Sequence, residues 1–435
     1  MNFRAVKIGR KFLLTSDSGC WDFFSGKEFS AIMSGTRVPE RAVEKGFVLS
    51  DKNINAEVIR LGRKYSFLSS GPSLHIVIPT LRCNEKCSYC QAGALPLSAK
   101  NADMSDETVG LVVTRIFEAG FPLTIEFQGG EPLLRFDIVK RVAEKVKAER
   151  KAVKFSLATN LLLMNDEIAR FLAENNFGVC TSLDAPDSCR SHREKTVFWI
   201  KKLKALFSGT GASVSALSTI TKSSLPFWKE LIDEYVALGL EFIHLRPVKL
   251  IGFAKEPVPA DDFINFWVAS MDYIIRLNED GMKIAEREAV IMLKRILFND
   301  SSYADLRSPC GAVIGQIVYN YDGRIYSCDE GRMVKNGLFC VGSIDSSLKS
   351  VVSSPESMAV ISASINDSYW CNGCAFKPFC GVCPVLNYAE FGSVIGRLSE
   401  SSWCRIKKAQ FAYLFSRLQE KDAGKVLRGW AETFK

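Results

Sequence analysis

The run Leu81-Arg-Cys-Asn-Glu-Lys-Cys-Ser-Tyr-Cys-Gln91 places Cys83, Cys87 and Cys90 on one short loop directly behind an apolar stretch. Three thiols at this spacing point to an iron–sulfur cluster. A cubane cluster usually takes four thiolates, so a loop that supplies three and has no fourth nearby leaves one iron open to a ligand from outside the protein. A zinc loop or ordinary buried thiols are the competing readings of the same residues.

A chain of 435 residues suggests two or three domains with room for a large core. Hydrophobic residues at 47% and charged residues at 24% are those of an ordinary soluble protein. No apolar run is long enough to span a bilayer. Met1 to Leu14 mixes Arg4, Lys7, Arg10 and Lys11 among short apolar pieces, unlike a secretion signal, so the expected location is the cytoplasm. Reducing conditions there disfavour disulfides, which makes clustered thiols among the 14 cysteines candidate metal ligands. The net charge of +8 is diffuse. Its densest run, Lys140-Arg141 with Lys145, Lys147, Arg150 and Lys151, is interleaved with Glu144 and Glu149 and reads as a solvated helix face.

From Leu74 to Arg246, β-rich runs alternate with helical patterns, the signature of a parallel α/β architecture. The expected strands are Leu74 to Pro79, Leu123 to Phe127, Val153 to Ala158, Val179 to Leu183, Ser213 to Ile220 and Phe242 to Leu245. The helices between them run from Asp106 to Ala119, Arg135 to Lys147, Glu167 to Asn175, Lys195 to Phe207 and Pro226 to Leu238. Six strand–helix units suggest a partial (β/α)6 barrel of the TIM type over residues 71–300. A separate small unit occupies residues 1–70, with strand-like pieces and a helix around Gly26 to Met33, and a cysteine-rich tail covers residues 301–435. The notable residues fall where strands end. The cysteine loop follows the first strand, Gly129-Gly130-Glu131-Pro132 the second and Thr159-Asn160 the third, and Asp184 closes the fourth. Strand ends of an α/β barrel share one rim, so these motifs converge in space.

Two glycines in Phe127-Gln-Gly-Gly-Glu-Pro132 let backbone approach a ligand closely, and Glu131 is suited to receive an ammonium group. The tail carries Cys310, Cys328, the pair Cys371 and Cys374, the pair Cys380 and Cys383, and Cys404. Two close pairs suffice for one zinc knuckle, but Cys310, Cys328 and Cys404 would then lack a purpose. Asp329 follows Cys328 and reads either as a base or as a turn residue. His75, His192 and His244 are scattered and read as structural, and Cys20, Cys180 and Cys189 as ordinary thiols.

The loop spacing, with Tyr89 before its last cysteine, resembles the signature of the radical S-adenosylmethionine (SAM) enzymes. That resemblance implies a [4Fe–4S] cluster whose fourth iron chelates SAM, and reductive cleavage of SAM to a 5′-deoxyadenosyl radical that abstracts a substrate hydrogen. It makes Gln128, Gly129, Gly130 and Glu131 the element that contacts the SAM amine. Asn160, and Ser182 with Asp184, resemble further SAM-contacting elements of the family, although Leu161 and Ala185 replace the usual glycines. Arg193 is a candidate partner for the SAM carboxylate. The tail resembles the SPASM domain of peptide-modifying radical SAM enzymes, which holds two auxiliary iron–sulfur clusters. The family's interleaved ligation implies Cys310, Cys328 and Cys383 for the first cluster, and Cys371, Cys374, Cys380 and Cys404 for the second. The first set is one ligand short, leaving an open iron or a fourth ligand from Cys340 or a non-cysteine group. Asp329 matches the position of a carboxylate that some relatives use as a base.

Over nearly its full length the chain looks like the larger radical SAM maturase of the His-Xaa-Ser peptide system, on runs such as Gly71 to Cys83, Cys310 to Gly323 and Cys328-Asp-Glu-Gly331. This implies a ribosomally made precursor peptide, with His-Xaa-Ser repeats, as substrate. It also implies a second radical SAM protein as partner and an electron donor such as flavodoxin or ferredoxin. Residues 1–70 would dock the peptide's leader. The rivals are an RNA-modifying radical SAM enzyme, which would want a basic RNA-binding appendage that this tail does not provide, and a cluster protein that only transfers electrons.

Overall fold

The computed structural model describes residues 2–120, 123–149, 152–185 and 192–433. Cys189 and the Arg150-Lys151 pair lie outside the described residues. The amino-terminal unit is a three-stranded antiparallel sheet of β1 (Arg4–Ile8), β2 (Lys11–Thr15) and β3 (Trp21–Phe24), followed by α1 (Gly26–Ser34), α2 (Glu40–Glu44) and α3 (Ile54–Lys64). Leu14, Phe24, Ile32, Ala42 and Phe47 form its own small core.

Then come β4 (Leu74–Val77), α4 (Asp106–Phe117), β5 (Leu123–Phe127), α5 (Phe136–Glu149), β6 (Val153–Ala158), α6 (Asp166–Glu174), β7 (Gly178–Ser182), α7 (Arg193–Phe207), β8 (Ser213–Ile220) and α8 (Trp228–Ala237). The barrel region closes with β9 (Phe242–Ile243), β10 (Leu245–Pro247), α9 (Ala260–Glu279), β11 (Ala285–Glu286) and α10 (Arg287–Phe298). Strands β4, β5, β6, β7, β8 and β10 lie side by side in that order, all parallel, as the alternation of patterns requires. Their helices bury apolar stripes at helical spacing, such as Val109, Val112, Val113 and Ile116 on α4.

The sixth strand departs from expectation. The ladder to β8 runs over Leu245–Pro247, while Phe242–Ile243 pairs with β11 instead. The chain changes partner at His244, whose carbonyl accepts from Ser218 N at 2.9 Å.

The tail comprises β12 (Gln316–Tyr319), β13 (Arg324–Tyr326), α11 (Asp329–Arg332), β14 (Cys340–Ser343), α12 (Leu348–Val352), α13 (Pro355–Ala363), α14 (Tyr369–Asn372), α15 (Pro384–Phe391), α16 (Ser402–Arg417) and α17 (Lys421–Thr433). Its β12 pairs in parallel with β4, and β13 and β14 follow antiparallel, so tail and barrel share one nine-stranded sheet. Buried His75 pins this seam through the Tyr319 hydroxyl at 2.9 Å and the Pro72 carbonyl at 3.2 Å. The amino-terminal unit is also bolted to the tail. Trp21 packs edge-on against Phe415 at 5.2 Å, Thr15 Oγ1 donates to the Ala375 carbonyl at 2.6 Å, and Arg4 Nε donates to the Asn372 carbonyl at 2.6 Å.

Candidate active site

The loop bearing Cys83, Cys87 and Cys90 leaves the carboxyl end of β4, and all three thiols are half-buried. Its first residues are held by the turn after β5, where Gly130 N donates to the Thr80 carbonyl at 3.0 Å and Glu131 N to the Arg82 carbonyl at 2.8 Å. A β-carbon on Gly130 would lie 2.2 Å from the Arg82 carbonyl oxygen, and Gly129, at φ 134°, would carry one 2.5 Å from the Thr80 carbonyl oxygen. These glycines let two loops touch each other.

Glu131 joins the same turn to the next strand. Its carboxylate is fully buried and accepts from Leu133 N at 3.0 Å, Thr159 Oγ1 at 2.7 Å and Asn160 N at 2.8 Å. It knots the ends of β5 and β6 together. Asn160 projects onto the cysteine loop, donating to Asn84 Oδ1 at 2.8 Å and to Cys83 Sγ at 3.9 Å.

On the opposite side Tyr89 donates its hydroxyl to Asp184, which closes the β7 end and also accepts from Thr219 N at 2.7 Å. Arg193 donates to the Asp184 carbonyl and pairs with Glu234, so two of its N–H groups bind the protein itself. Ser182 ends β7 in register with Leu217, half-buried. The loop after β10 clamps the cysteine loop from outside. Phe253 N donates to the Cys90 carbonyl at 2.9 Å, and Gly252, at φ 65°, sits where a β-carbon would lie 2.2 Å from the Gln91 carbonyl oxygen.

Helix α11 brings the tail into this mouth. Arg332 Nη1 donates to the Ala92 carbonyl at 3.2 Å while Nη2 lies 3.5 Å from Asp329 Oδ1. The Gln128 side chain lies beside Asp329. Burial raises the Asp329 carboxyl, while Arg332 opposes the rise and Gln128 helps hold the carboxyl down. Glu330 contacts Lys249 at 3.0 Å and Arg246 at 3.2 Å, and against the upward push of burial these cations hold it down to about 2. Burial, then the Asp329 charge, pushes Glu126 in the same lumen up to about 7. The roles of Arg246, Lys249, Gly252, Glu330 and Arg332 were not legible in the sequence, because each acts through a partner far along the chain.

The tail cysteines assemble in two places. Cys310 and Cys328, both buried, pack with Cys383 around Ile251, Phe339 and Val385. Cys371, Cys374, Cys380 and Cys404 lie within electrostatic reach of one another. Cys340 is corrected by the structure. It packs in a different apolar cluster, with Ile76, Ile78, Val318 and Tyr326, away from Cys310 and Cys328.

The donor set fits iron–sulfur clusters. Among the described residues no three Cys, His, Asp or Glu side chains stand close enough to share a single metal ion. Burial, with Glu131 and Cys90 nearby, pushes the Cys83 thiol up to about 11. Glu85 N, 3.4 Å from Cys83 Sγ, supplies an N–H aimed at the sulfur.

Residues 77–212 match the family model of the radical SAM superfamily. The chain carries a radical SAM domain. A cysteine-type anaerobic sulfatase-maturating enzyme of Clostridium perfringens is 24% identical over 357 residues, 77% of this chain and 94% of that protein. An uncharacterised protein of Archaeoglobus fulgidus is 24% identical over 355 residues, 80% of this chain and 82% of that one. In fold, the chain resembles anSMEcpe with bound AdoMet at a TM-score of 0.68 and 22% identity, over 82% of this chain and 99% of that one. It also resembles Streptococcus suis SuiB bound to the precursor peptide SuiA, with a TM-score of 0.56, 15% identity, and coverage of 91% and 97%. The radical SAM enzyme described here thus has a [4Fe–4S] cluster and SAM as cofactors, and a cysteine-rich tail compatible with auxiliary clusters.

Proposed function

We propose that this radical SAM enzyme is a peptide maturase acting in the cytoplasm on a ribosomally made precursor, one with His-Xaa-Ser repeats. A second radical SAM protein would act beside it, and flavodoxin or ferredoxin would supply electrons. The observation that carries the reading is the shape and lining of the mouth. A cavity of about 990 Å³ runs from Cys87, Ser88 and Tyr89 past Thr219 to Ser224 and out along Gly252 to Glu256. A cleft of this size stands at the upper end of the range for small-ligand pockets and has room for a segment of peptide. The similarity to a sulfatase-maturating enzyme and to SuiB supports it. No helix among the described residues is long and apolar enough to cross a membrane.

When bound to Cys83, Cys87 and Cys90, the cluster with SAM supplies a carbon-centred radical that abstracts a hydrogen atom. This chain's residues do the rest. Tyr89 and Asp184 brace the loop against β7, while Gly252 and Phe253 close it from outside. Asp329 accepts the proton released by the substrate on its carboxylate, which Gln128 and Arg332 orient. Cys310, Cys328 and Cys383, and Cys371, Cys374, Cys380 and Cys404, would hold tail clusters that supply a place for the electron.

Residues 1–70 dock the leader segment. Helix α3 is inverted, with Glu57 and Lys64 buried at 3% and 6% exposure while Val58 and Ile59 stand out at 59% and 54%. Strand β3 is an edge of its sheet, its Trp21 and Phe23 carbonyls capped by Lys45 and Arg41, which leaves the apolar face of α3 as the docking surface. Because the unit is bolted to the tail, Val58→Glu with Ile59→Glu is a cleaner probe than deletion. Unchanged affinity for the co-encoded peptide in a titration would refute the docking role. The activity itself is tested by anaerobic incubation with dithionite, SAM and that peptide. Formation of 5′-deoxyadenosine and a mass change in the peptide are expected; 5′-deoxyadenosine with an unmodified peptide would refute the substrate.

A further inference from the structure

The tail's first site has three thiols and lacks a fourth ligand. Cys340 is excluded by its position. Of the acidic side chains that act electrostatically on Cys310 and Cys383, Glu330 is engaged by Lys249 and Arg246. The remaining one is Asp305. Among the described residues its carboxylate makes no ion pair and no hydrogen bond, and neither of its oxygens is sealed from solvent.

The backbone puts Asp305 between the two cysteine-bearing turns. Gly311, next to Cys310, donates its N–H to the Ala304 carbonyl at 2.9 Å, and a β-carbon there would lie 2.3 Å from the Ala304 β-carbon. Gly381, in the turn between Cys380 and Cys383, is pressed on the other flank, where a β-carbon would lie 2.9 Å from the Asp305 carbonyl oxygen. Segment 304–307 is thus wedged against both turns. We propose that Asp305 supplies the fourth protein ligand of the first tail cluster, a carboxylate oxygen on the iron that Cys310, Cys328 and Cys383 leave open. This rests on the reading of the tail as an iron–sulfur rather than a zinc module. An oxygen ligand is a harder donor than thiolate, so this cluster should differ in potential from an all-cysteine one.

The test uses full-length, anaerobically reconstituted protein in which Cys83→Ala, Cys87→Ala and Cys90→Ala remove the other open iron. Iron content, Mössbauer and EPR spectra are compared for this parent, Asp305→Asn and Asp305→Cys, with cyanide as the probe of an open iron. The parent should hold about eight irons, four per cubane, and be indifferent to cyanide. Asp305→Asn, nearly isosteric, should lose about one iron to a three-iron cluster or take up cyanide. Asp305→Cys should restore the full count with a shifted potential. Asp305→Asn matching the parent, a parent that itself binds cyanide, or no iron at Cys310, Cys328 and Cys383 would each overturn the proposal. None of these readouts involves peptide turnover, so failure here is distinct from failure of the maturase reading.

Discussion

At the barrel mouth, Cys83, Cys87 and Cys90 ride one loop, half exposed, held by backbone hydrogen bonds to the turn after β5 and to the loop after β10. In the tail, Cys310, Cys328 and Cys383 arrive from three separate turns and sink among Ile251, Phe339 and Val385. The first arrangement is built by sheet topology, which brings successive strand ends to one rim whatever the loops contain. The second is built by packing, in which apolar neighbours fix where each thiol stands. A site open to a cofactor and a substrate needs the former; a site that only stores charge can use the latter.

The largest effect separates the two regions outright. Cys83→Ala, Cys87→Ala and Cys90→Ala together should abolish SAM cleavage and remove about four of about twelve irons, leaving the tail clusters, as counted by iron analysis and EPR. If tail iron vanished too, the regions would not be independent. Chelation sharpens the contrast. Because Cys310 and Cys328 are only 6% and 4% exposed, a ferrous chelator should strip the mouth cluster well before the tail in a time course of visible absorbance.

Stability tests follow. Glu131→Ala leaves three donors unpaired, at about 1–3 kcal/mol for each buried donor left unsatisfied, and should lower the urea midpoint accordingly. At the seam, burial pulls His75 down to about 4, while the unfolded chain titrates near 6.5. The unfolded state therefore takes the proton first, so stability is fully present above about pH 6.5 and is lost as pH falls toward 4, by roughly 3 kcal/mol in all. His75→Gln should flatten that slope in urea midpoints measured across the window. Smallest of all, Asp106→Asn breaks an exposed pair with Arg141 and should change stability by less than about 1 kcal/mol.

The contrast also explains what the sequence disclosed. The six parallel strands and the convergence of the cysteine loop, Gly130 and Asn160 follow from local periodicity, so they were readable without coordinates. The hydrogen bonds of Glu131 to Thr159 and Asn160 were not legible, because those partners lie a strand away. Gln128 lying beside Asp329, and Glu330 meeting Lys249, join residues about 80 to 200 positions apart, and no spacing rule reaches that far. The union of tail and barrel in one sheet escaped for the same reason, since parallel pairing of β12 with β4 leaves no signal in either strand alone.

If the half-exposed loop at the β4 end holds a cluster with an iron free to bind SAM, EPR of the reduced, oxygen-free protein will show it. Adding SAM should change the signal belonging to the Cys83, Cys87 and Cys90 cluster and leave the tail signals alone; a spectrum indifferent to SAM would mean that no such iron exists.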